Sequence, residues 1–277
     1  MQNITKRFTI VGNPARHSKS PALFAAAYPN RPYLTYDVNE PATAEECLAV
    51  LKSGYDGGNV TAPFKEDMFR MADELTETAA LIGAVNTVTA AEGKITADNC
   101  DHRGVAGSFE EFGISLAGKS CLLLGIGGAG KAAAYAVCKA GGALTIVNRT
   151  ERKARDFADK LGCGFASTGD LNRLAKTADI IINTLYGDID PVERNSLDSD
   201  KVILDASYIG SPLLEKAKDA GCTIIDGRYW LYHQALYCFA LFTGMEPDRK
   251  AMKQLLIMNQ LRITNYELRP DGKSDGS

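Results

Sequence analysis

Paired cysteines, a surplus of positive charge and long apolar runs are all missing from this 277-residue sequence. The cysteines are odd in number and no two lie closer than 16 residues, so there is neither a CxxC metal motif nor an evident disulfide framework. We therefore expect reduced thiols in a cytoplasmic protein, and no metal site. The seven cysteines are Cys47, Cys100, Cys121, Cys138, Cys163, Cys222 and Cys238.

Basic residues are too few for a nucleic-acid or anionic-membrane surface. Lysine and arginine together number 31 against 34 acidic residues, which gives a net charge of −3. Lys6 and Arg7 precede only a short apolar run, which is not a signal peptide, and the apolar stretch 230–242 is too short to cross a bilayer. An apolar fraction of 45% excludes disorder, and this length suits about two domains. We expect a soluble protein that acts on a small molecule.

The first hundred residues alternate short β-rich runs with helical periods, as in RFTIVG followed by PALFAAAY and YLTYDV followed by TAEECLAVLK. This alternation is typical of βαβ units on a largely parallel sheet. A helical segment is expected around residues 74–82. The pair Glu92–Gly93 predicts a hairpin that joins AVNTVTA to KITAD.

The alternation begins again at Lys119 and predicts a doubly wound Rossmann-type domain. Two final helices, at about 230–242 and 248–261, should fold back on the first half, and the polar tail after them should fray. The expected fold is α/β with two domains. One is an N-terminal α/β domain, residues 1–102 plus 228–277, and the other is the doubly wound domain, residues 103–227.

A glycine-rich turn lies between the predicted strand CLLLG and the predicted helix KAAAYAVCKA. In this position, glycines permit a tight turn, let the backbone approach a pyrophosphate and allow the helix to pack closely on the strand. The alternative is a purely structural turn, because GxGxxG alone is a weak signal. The cofactor-binding candidates are Gly125, Gly127, Gly128, Ala129 and Gly130.

The second predicted strand of this unit ends in Asn148-Arg149-Thr150, where an NAD-binding fold usually carries a carboxylate. A carboxylate would repel a 2′-phosphate, whereas a guanidinium can bind it with two hydrogen bonds. NADP is therefore the predicted cofactor, with all three residues as candidate contacts. The alternative is a solvated arginine at a strand end, followed by the charged helix start of Arg152 and Lys153.

Several motifs in order along nearly the whole chain resemble those of the shikimate dehydrogenase family. The resemblance implies reversible NADP-dependent reduction of 3-dehydroshikimate to shikimate, a step in aromatic amino-acid biosynthesis. The motifs are GNPARHSKSP (12–21), GNVTAPFKE (58–66), GAVNT (83–87), DNCD (98–101), GIGGAG (125–130), NRT (148–150) and HQA (233–235).

The resemblance also assigns roles to single residues. Lys65 would transfer the proton, held by Asp101. Ser18 and Ser20 would bind the substrate carboxylate. The hydroxyl-binding candidates are Thr61, Asn86, Asp101 and Gln234, and Tyr208 is a further substrate-binding candidate. Fixed hydroxyl and amide groups suit a polyol acid, because unmet buried polar groups discriminate against wrong isomers.

The residues alone say less about Lys65. Pro63 suits a first helical turn, so Lys65 should lie near a helix N-terminus, where the helix dipole disfavours a cation. Asp101, at the end of KITAD, is the candidate partner that would orient the ammonium. Without the resemblance, a surface lysine is the ordinary alternative.

The sequence departs from the family pattern at four positions: Cys100, Leu185, Tyr229 and Trp230. The last two stand where the family has Gly and Met against the nicotinamide. The indole could stack on the nicotinamide or fill its pocket, and stacking is the prediction because Lys65 and Asp101 are retained. His17, His102 and His233 are expected in loops or helix packing, since no orienting partner is evident.

Three alternatives stay open from the sequence. A quinate or aminoshikimate dehydrogenase would keep every motif and differ in substrate. A noncatalytic shikimate-binding relative would have its nicotinamide pocket blocked by Trp230. A folate-linked dehydrogenase of similar architecture would not explain the two serines of HSKS. A monomer or a homodimer is expected.

Overall fold

The computed structural model describes residues 5–187 and 189–258, which form two six-stranded sheets with helices packed on both. The strands are β1 Lys6–Val11, β2 Leu34–Asn39, β3 Gly57–Val60, β4 Glu74–Leu75, β5 Thr87–Ala91, β6 Lys94–Asp98, β7 Ser120–Leu124, β8 Ala143–Val147, β9 Gly164–Ala166, β10 Ile180–Asn183, β11 Val202–Asp205 and β12 Thr223–Ile225. The helices are α1 Ser20–Ala27, α2 Ala44–Lys52, α3 Lys65–Met71, α4 Glu77–Ile82, α5 Asp101–Glu111, α6 Gly128–Lys139, α7 Glu151–Leu161, α8 Leu171–Thr177, α9 Pro212–Asp219, α10 Gly227–Thr243 and α11 Arg249–Lys253.

The first sheet has the strand order β2-β1-β3-β5-β6-β4. Strands β1, β2 and β3 are parallel, β5 runs antiparallel to both β3 and β6, and β4 is parallel to β6. The predicted hairpin is confirmed. Its turn places Glu92 and Gly93 at φ 53° and 75°, the left-handed pair that a two-residue hairpin requires. The helix expected from residue 74 begins only at Glu77, because Glu74–Leu75 pairs as a strand with β6.

The second sheet is parallel throughout, with the order β12-β11-β10-β7-β8-β9. This is the doubly wound arrangement, and its order reverses between β7 and β10. Ligands of such sheets bind in the crevice at the carboxyl ends of the strands on either side of that reversal. Gly125 follows β7 and Thr184 follows β10, and Thr184 Oγ1 donates a hydrogen bond to the Leu124 carbonyl oxygen at 2.9 Å.

The long helix α10 returns to the first sheet, as predicted. Phe242 stacks on Phe8 of β1 with ring centroids 5.4 Å apart, and Phe239 meets Phe24 of α1 edge-on at 5.0 Å. The final helix is shorter than expected, because α11 ends at Lys253 and a π-helical turn, Gln254–Met258, follows it. The rest of that prediction and the polar tail lie outside the described residues.

Two glycines bring α5 and α10 into close contact. A Cβ added to Gly104 would lie 2.5 Å from Cδ1 of Trp230, and one added to Gly107 would lie 2.6 Å from Cγ of His233. Because these glycines are three residues apart on α5, they form one face on which the large side chains of α10 lie. The expected domain boundary, between residues 102 and 103, falls inside α5.

The cysteines differ from expectation at one pair. The structure joins Cys100 and Cys238 in a disulfide with their Cα atoms 6.6 Å apart, so the expectation that all seven are unpaired thiols is wrong there. The two are 138 residues apart, and only the packing of α10 against the start of α5 brings them together. The unpaired cysteines are Cys47, Cys121, Cys138, Cys163 and Cys222.

Candidate active site

Lys65 and Asp101 form an ion pair in the cleft between the sheets. Lys65 is the first residue of α3 and Asp101 the first residue of α5, and Lys65 Nζ lies 2.5 Å from Asp101 Oδ2. The lysine side chain is 19% exposed and the aspartate side chain 7%, so water screens the pair poorly. The structure thus brings the two predicted residues together, with the ammonium accessible and its partner buried.

Asp101 is held in place by its own chain. Its backbone N–H donates to Asn99 Oδ1 at 3.0 Å, and the Asn99 amide donates to the carbonyl oxygen of Ala84 at 2.9 Å. Asn99 in turn donates its backbone N–H to Asp98 Oδ1, which also accepts from Thr76 Oγ1 at 2.6 Å. These contacts determine where α5 begins, and therefore where its first carboxylate lies.

The two predicted serines lie side by side. Ser18 Oγ and Ser20 Oγ are 3.1 Å apart, at the end of a loop that leads into α1. Glu40 anchors that loop by accepting the N–H groups of Arg16 and Ala15 at 2.8 and 2.6 Å. These two backbone hydrogen bonds lower the pKa of Glu40 below its usual value, and the one from Arg16 has the larger effect.

Two further candidates touch directly: the Asn86 amide donates to Gln234 Oε1 at 2.9 Å. Behind Asn86 lie two residues that the sequence analysis missed. Asn59, in the middle of β3, donates to the Asn86 carbonyl oxygen at 3.1 Å and accepts from Tyr36 OH at 2.7 Å. Burial raises the pKa of Tyr36, while a hydrogen bond with Ser20 acts in the opposite direction. An asparagine inside the buried run GGNV was the available signal, because buried amides need partners.

The remaining two substrate candidates lie at strand ends. Thr61 follows β3 directly, and its backbone N–H donates to the Val11 carbonyl oxygen at 2.9 Å. Tyr208 lies half-buried in the loop after β11, in the second sheet. Burial raises the pKa of Tyr208, and the neighbouring Tyr186 adds to the shift.

The glycine-rich turn has the geometry that its spacing predicts. Gly125 has φ +93°, which favours glycine, and a Cβ on Gly130 would lie 2.3 Å from the Gly125 carbonyl oxygen. A Cβ on Gly127 would meet no atom within 4 Å, so its backbone faces open space at the start of α6. That helix start has unpaired N–H groups and a favourable dipole for an anion.

A cavity of about 170 Å³ lies beside this turn. Arg149 and Lys153 give it positive charge, and no ion pair of Arg149 is found among the described residues. The complete lining is Glu66, Ile126, Gly127, Asn148, Arg149, Thr150 and Lys153.

Two contacts connect the sheets across the cleft near that cavity. Glu66, next to Lys65 on α3, pairs with Lys131 of α6 at 3.0 Å. Gly128, at the start of α6, lies under Lys65, because a Cβ there would be 3.1 Å from Lys65 Cδ. The proton-transfer candidate therefore lies directly against the predicted dinucleotide turn. The sequence analysis proposed neither contact.

Trp230 lies beside the Lys65–Asp101 pair. The indole is 5% exposed in the core between α5 and α10, and its Nε1 donates to Asp101 Oδ1 at 3.2 Å. An indole that is 5% exposed leaves little open ring face for stacking on a nicotinamide, and that stacking stays a prediction. Tyr229 likewise packs edge-on against Phe112 at 4.9 Å. Leu185, another departure, is half-buried and packs against the core of the second sheet.

The histidines have packing roles where they are buried. His102 Nδ1 lies 2.8 Å from the Asn99 carbonyl oxygen, and burial lowers the pKa of His102. His233 Nε2 lies 3.1 Å from Glu111 Oε2. Within 5–187 and 189–258, no three His, Cys, Asp or Glu side chains are grouped to hold a metal ion. Over the same residues, no helix has the length and apolarity needed to cross a bilayer.

A doubly wound sheet with an anion-binding turn faces a lysine–aspartate pair formed by two helices of the other domain, and this arrangement defines a two-domain dinucleotide-dependent oxidoreductase. A family model described as "Shikimate dehydrogenase substrate binding domain" matches residues 10–88. A second, described as "Shikimate / quinate 5-dehydrogenase", matches residues 108–200. The chain belongs to the shikimate dehydrogenase family, which confirms the resemblance and the predicted fold class.

Curated relatives and solved structures cover almost the whole chain. The shikimate dehydrogenase (NADP(+)) of Halobacterium salinarum is 36% identical over 263 residues, 90% of this chain and 97% of that protein. That of Pyrococcus abyssi is 34% identical over 260 residues, again 90% and 97%. The shikimate 5-dehydrogenase of Thermus thermophilus, solved with NADP(H) and shikimate, has a TM-score of 0.81, 29% identity, and 90% and 97% coverage. A quinate dehydrogenase from Corynebacterium glutamicum, solved with NAD, has a TM-score of 0.80, 26% identity, and 92% and 99% coverage.

Proposed function

We propose that this protein catalyses the reversible, NADP-dependent reduction of 3-dehydroshikimate to shikimate. The observation that carries the proposal is the pair formed by Lys65 Nζ and Asp101 Oδ2 at 2.5 Å, placed against Gly128 of the dinucleotide turn. Residues 1–102 plus 228–277 would bind the substrate, and residues 103–227 the cofactor. A monomer or homodimer in the cytoplasm is part of the proposal.

The residues beside the turn suit NADP. Gly127 leaves room for a pyrophosphate at the start of α6, while Gly125 and Gly130 permit the tight turn and the close approach of the helix to it. Arg149 and Lys153 line the adjacent cavity, where their charges would favour a 2′-phosphate, with Asn148 and Thr150 as neighbouring polar groups. When bound there, NADPH supplies the hydride.

The polar groups of the first sheet suit a hydroxylated acid. Ser18 and Ser20 offer two adjacent hydroxyls for the carboxylate. The ring hydroxyls would meet Asn86, Gln234 and Thr61, with Tyr208 as a further contact from the other side of the cleft. Because Asn86 and Gln234 already bond each other, their orientation is set before the substrate arrives.

Lys65 would donate its proton to the carbonyl oxygen of 3-dehydroshikimate as the carbon is reduced, leaving a neutral amine that regains a proton from solvent. In the oxidation direction the amine takes the hydroxyl proton. Asp101 holds the ammonium in the orientation for that transfer. Burial of Asp101 strengthens this ion pair, since few water molecules can compete for either partner.

Steady-state assays of the full chain with shikimate and quinate, each with NADP and NAD, test the proposal. We expect the highest kcat/KM for shikimate with NADP, and at least about a tenfold preference over NAD, from charge-assisted contacts to the 2′-phosphate. A higher kcat/KM for quinate than for shikimate would identify the protein as a quinate dehydrogenase instead. Binding of shikimate without any turnover would favour a noncatalytic relative.

A further inference from the structure

The carboxylate of Asp101 accepts hydrogen bonds from two different donors. Lys65 Nζ lies 2.5 Å from Oδ2, and the indole Nε1 of Trp230 donates to Oδ1 at 3.2 Å. We propose that Trp230 is a positioning residue that orients Asp101, and through it Lys65, for proton transfer. This inference rests on the proposed function.

Of the two donors to the Asp101 carboxylate, the indole of Trp230 is the one whose position is fixed. Trp230 is 5% exposed and lies in the core of the second sheet, so its ring has little freedom to move. Lys65, by contrast, is a long side chain that reaches Asp101 from the open cleft. A carboxylate bonded only to such a lysine could rotate, whereas a second donor on its other oxygen fixes the plane.

A glycine makes the contact possible. Gly104 lies one turn after Asp101 on α5, and a Cβ there would be 2.5 Å from Trp230 Cδ1 and 3.0 Å from Nε1. Asp101 and Gly104 share one face of α5 because they are three residues apart. The Cδ1–Nε1 edge of the indole therefore lies against the helix at Gly104, and its N–H donates to the carboxylate.

The indole N–H of Trp230 also requires a hydrogen-bond acceptor, because it is buried. A buried indole N–H without an acceptor destabilises the folded state, and no buried side-chain nitrogen or oxygen lacks a hydrogen-bond partner among the described residues. Asp101 is the acceptor found for Nε1. The indole N–H can only donate a hydrogen bond, so it needs an acceptor such as the Asp101 carboxylate.

Trp230 is the only tryptophan in the chain, which permits a single-atom test. Growth on β-(3-benzothienyl)alanine replaces its N–H with sulfur and keeps the ring, and 5-fluorotryptophan is the control that retains the N–H. We expect the sulfur analogue to lower kcat about tenfold, the range for a hydrogen bond to a charged group, with a much smaller change in the KM for shikimate. The fluorinated protein should keep a near-normal kcat.

Trp230→Phe provides a second test if the sulfur analogue is incorporated poorly. It also removes the donor, so the same fall in kcat with a small change in KM is expected. A role in packing alone would lower the melting temperature and leave kcat within twofold of the wild type. That result in either the sulfur analogue or the phenylalanine variant overturns the proposal.

A measurement without turnover separates this inference from the proposed function. The ¹⁵N-labelled protein has one indole N–H resonance, which we expect to move upfield in Asp101→Asn because a neutral amide accepts more weakly than a carboxylate. Ser18→Ala is the matched control and should leave that resonance in place. An unmoved resonance in Asp101→Asn contradicts the inference, whereas a wild-type protein that fails to oxidise shikimate contradicts the proposed function.

Discussion

Gly128 lies so close to Lys65 that a Cβ on the glycine would be 3.1 Å from Lys65 Cδ and 3.2 Å from Lys65 Cβ. The start of the dinucleotide helix and the proton-transfer candidate are therefore in contact. A side chain at residue 128 must displace the lysine, whose ammonium is already bonded to Asp101.

Gly128→Ala should consequently lower kcat about threefold to tenfold, because a few tenths of an ångström of displacement reduces the alignment of the reacting groups. Gly127→Ala is an informative comparison, since its Cβ would point into open space at the start of α6. That variant should chiefly raise the KM for NADP. Steady-state kinetics with each substrate varied distinguishes the two, and a rise only in the NADP KM for Gly128→Ala would contradict the expected contact with Lys65.

Lys65→Ala should lower kcat by about 10²-fold or more, the usual effect of removing a positioned proton-transfer group. Shikimate should still bind, which calorimetry can measure. Lys52→Ala is the matched control, because that lysine pairs with Asp73 at 2.9 Å outside the cleft. An unchanged kcat in Lys65→Ala would remove this residue from the chemical step.

Ser18→Ala should mainly raise the KM for shikimate and leave kcat near the wild-type value. A contact with the substrate carboxylate, far from the reacting carbon, contributes equally to the ground state and the transition state. Ser53→Ala, at the exposed end of α2, serves as control. A fall in kcat as large as that of Lys65→Ala would be incompatible with the assigned role.

Arg149→Asp should weaken NADP binding more than tenfold and NAD binding much less, because charge-assisted contacts contribute about 1.5–3 kcal/mol each. Arg152→Asp controls for charge alone. It lies three residues away, its side chain is 89% exposed, and it is not part of the cavity lining. Fluorescence or calorimetric titration gives both dissociation constants. Equal losses for the two cofactors would refute the 2′-phosphate assignment.

Stability should fall as the pH drops below about 6.5, the usual histidine pKa. Burial lowers the pKa of His102, so the unfolded chain takes up a proton before the folded one does. Stability from this group is thus present above about pH 6.5 and lost as the pH falls below it. Burial also lowers the pKa of His233, which contributes in the same direction.

His102→Gln should make the free energy of unfolding less dependent on pH, while it keeps a donor for the Asn99 carbonyl oxygen. Urea unfolding at about pH 7.5 and about pH 5.5 measures the difference between the two proteins. Parallel loss of stability in the wild type and the variant would exclude His102 as a contributor.

Much of the fold followed from local patterns. The second sheet was predictable because strand, glycine turn and helix follow one another within a few residues, and the turn itself requires glycine at φ +93°. The hairpin at Glu92–Gly93 was predictable for the same reason. The short strand Glu74–Leu75 was not, because it exists only by pairing with β6.

The sequence by itself determined the glycine turn, a helix start near Lys65 and the family motifs, because each depends on residues that are close neighbours along the chain. Only the tertiary structure decided the partner of Trp230. Its hydrogen-bond acceptor Asp101 is 129 residues away, and the contact exists because Gly104 lets α10 lie directly on α5. The link between Cys100 and Cys238 was decided in the same way. Contacts across such distances arise from helix packing, which residue spacing does not encode.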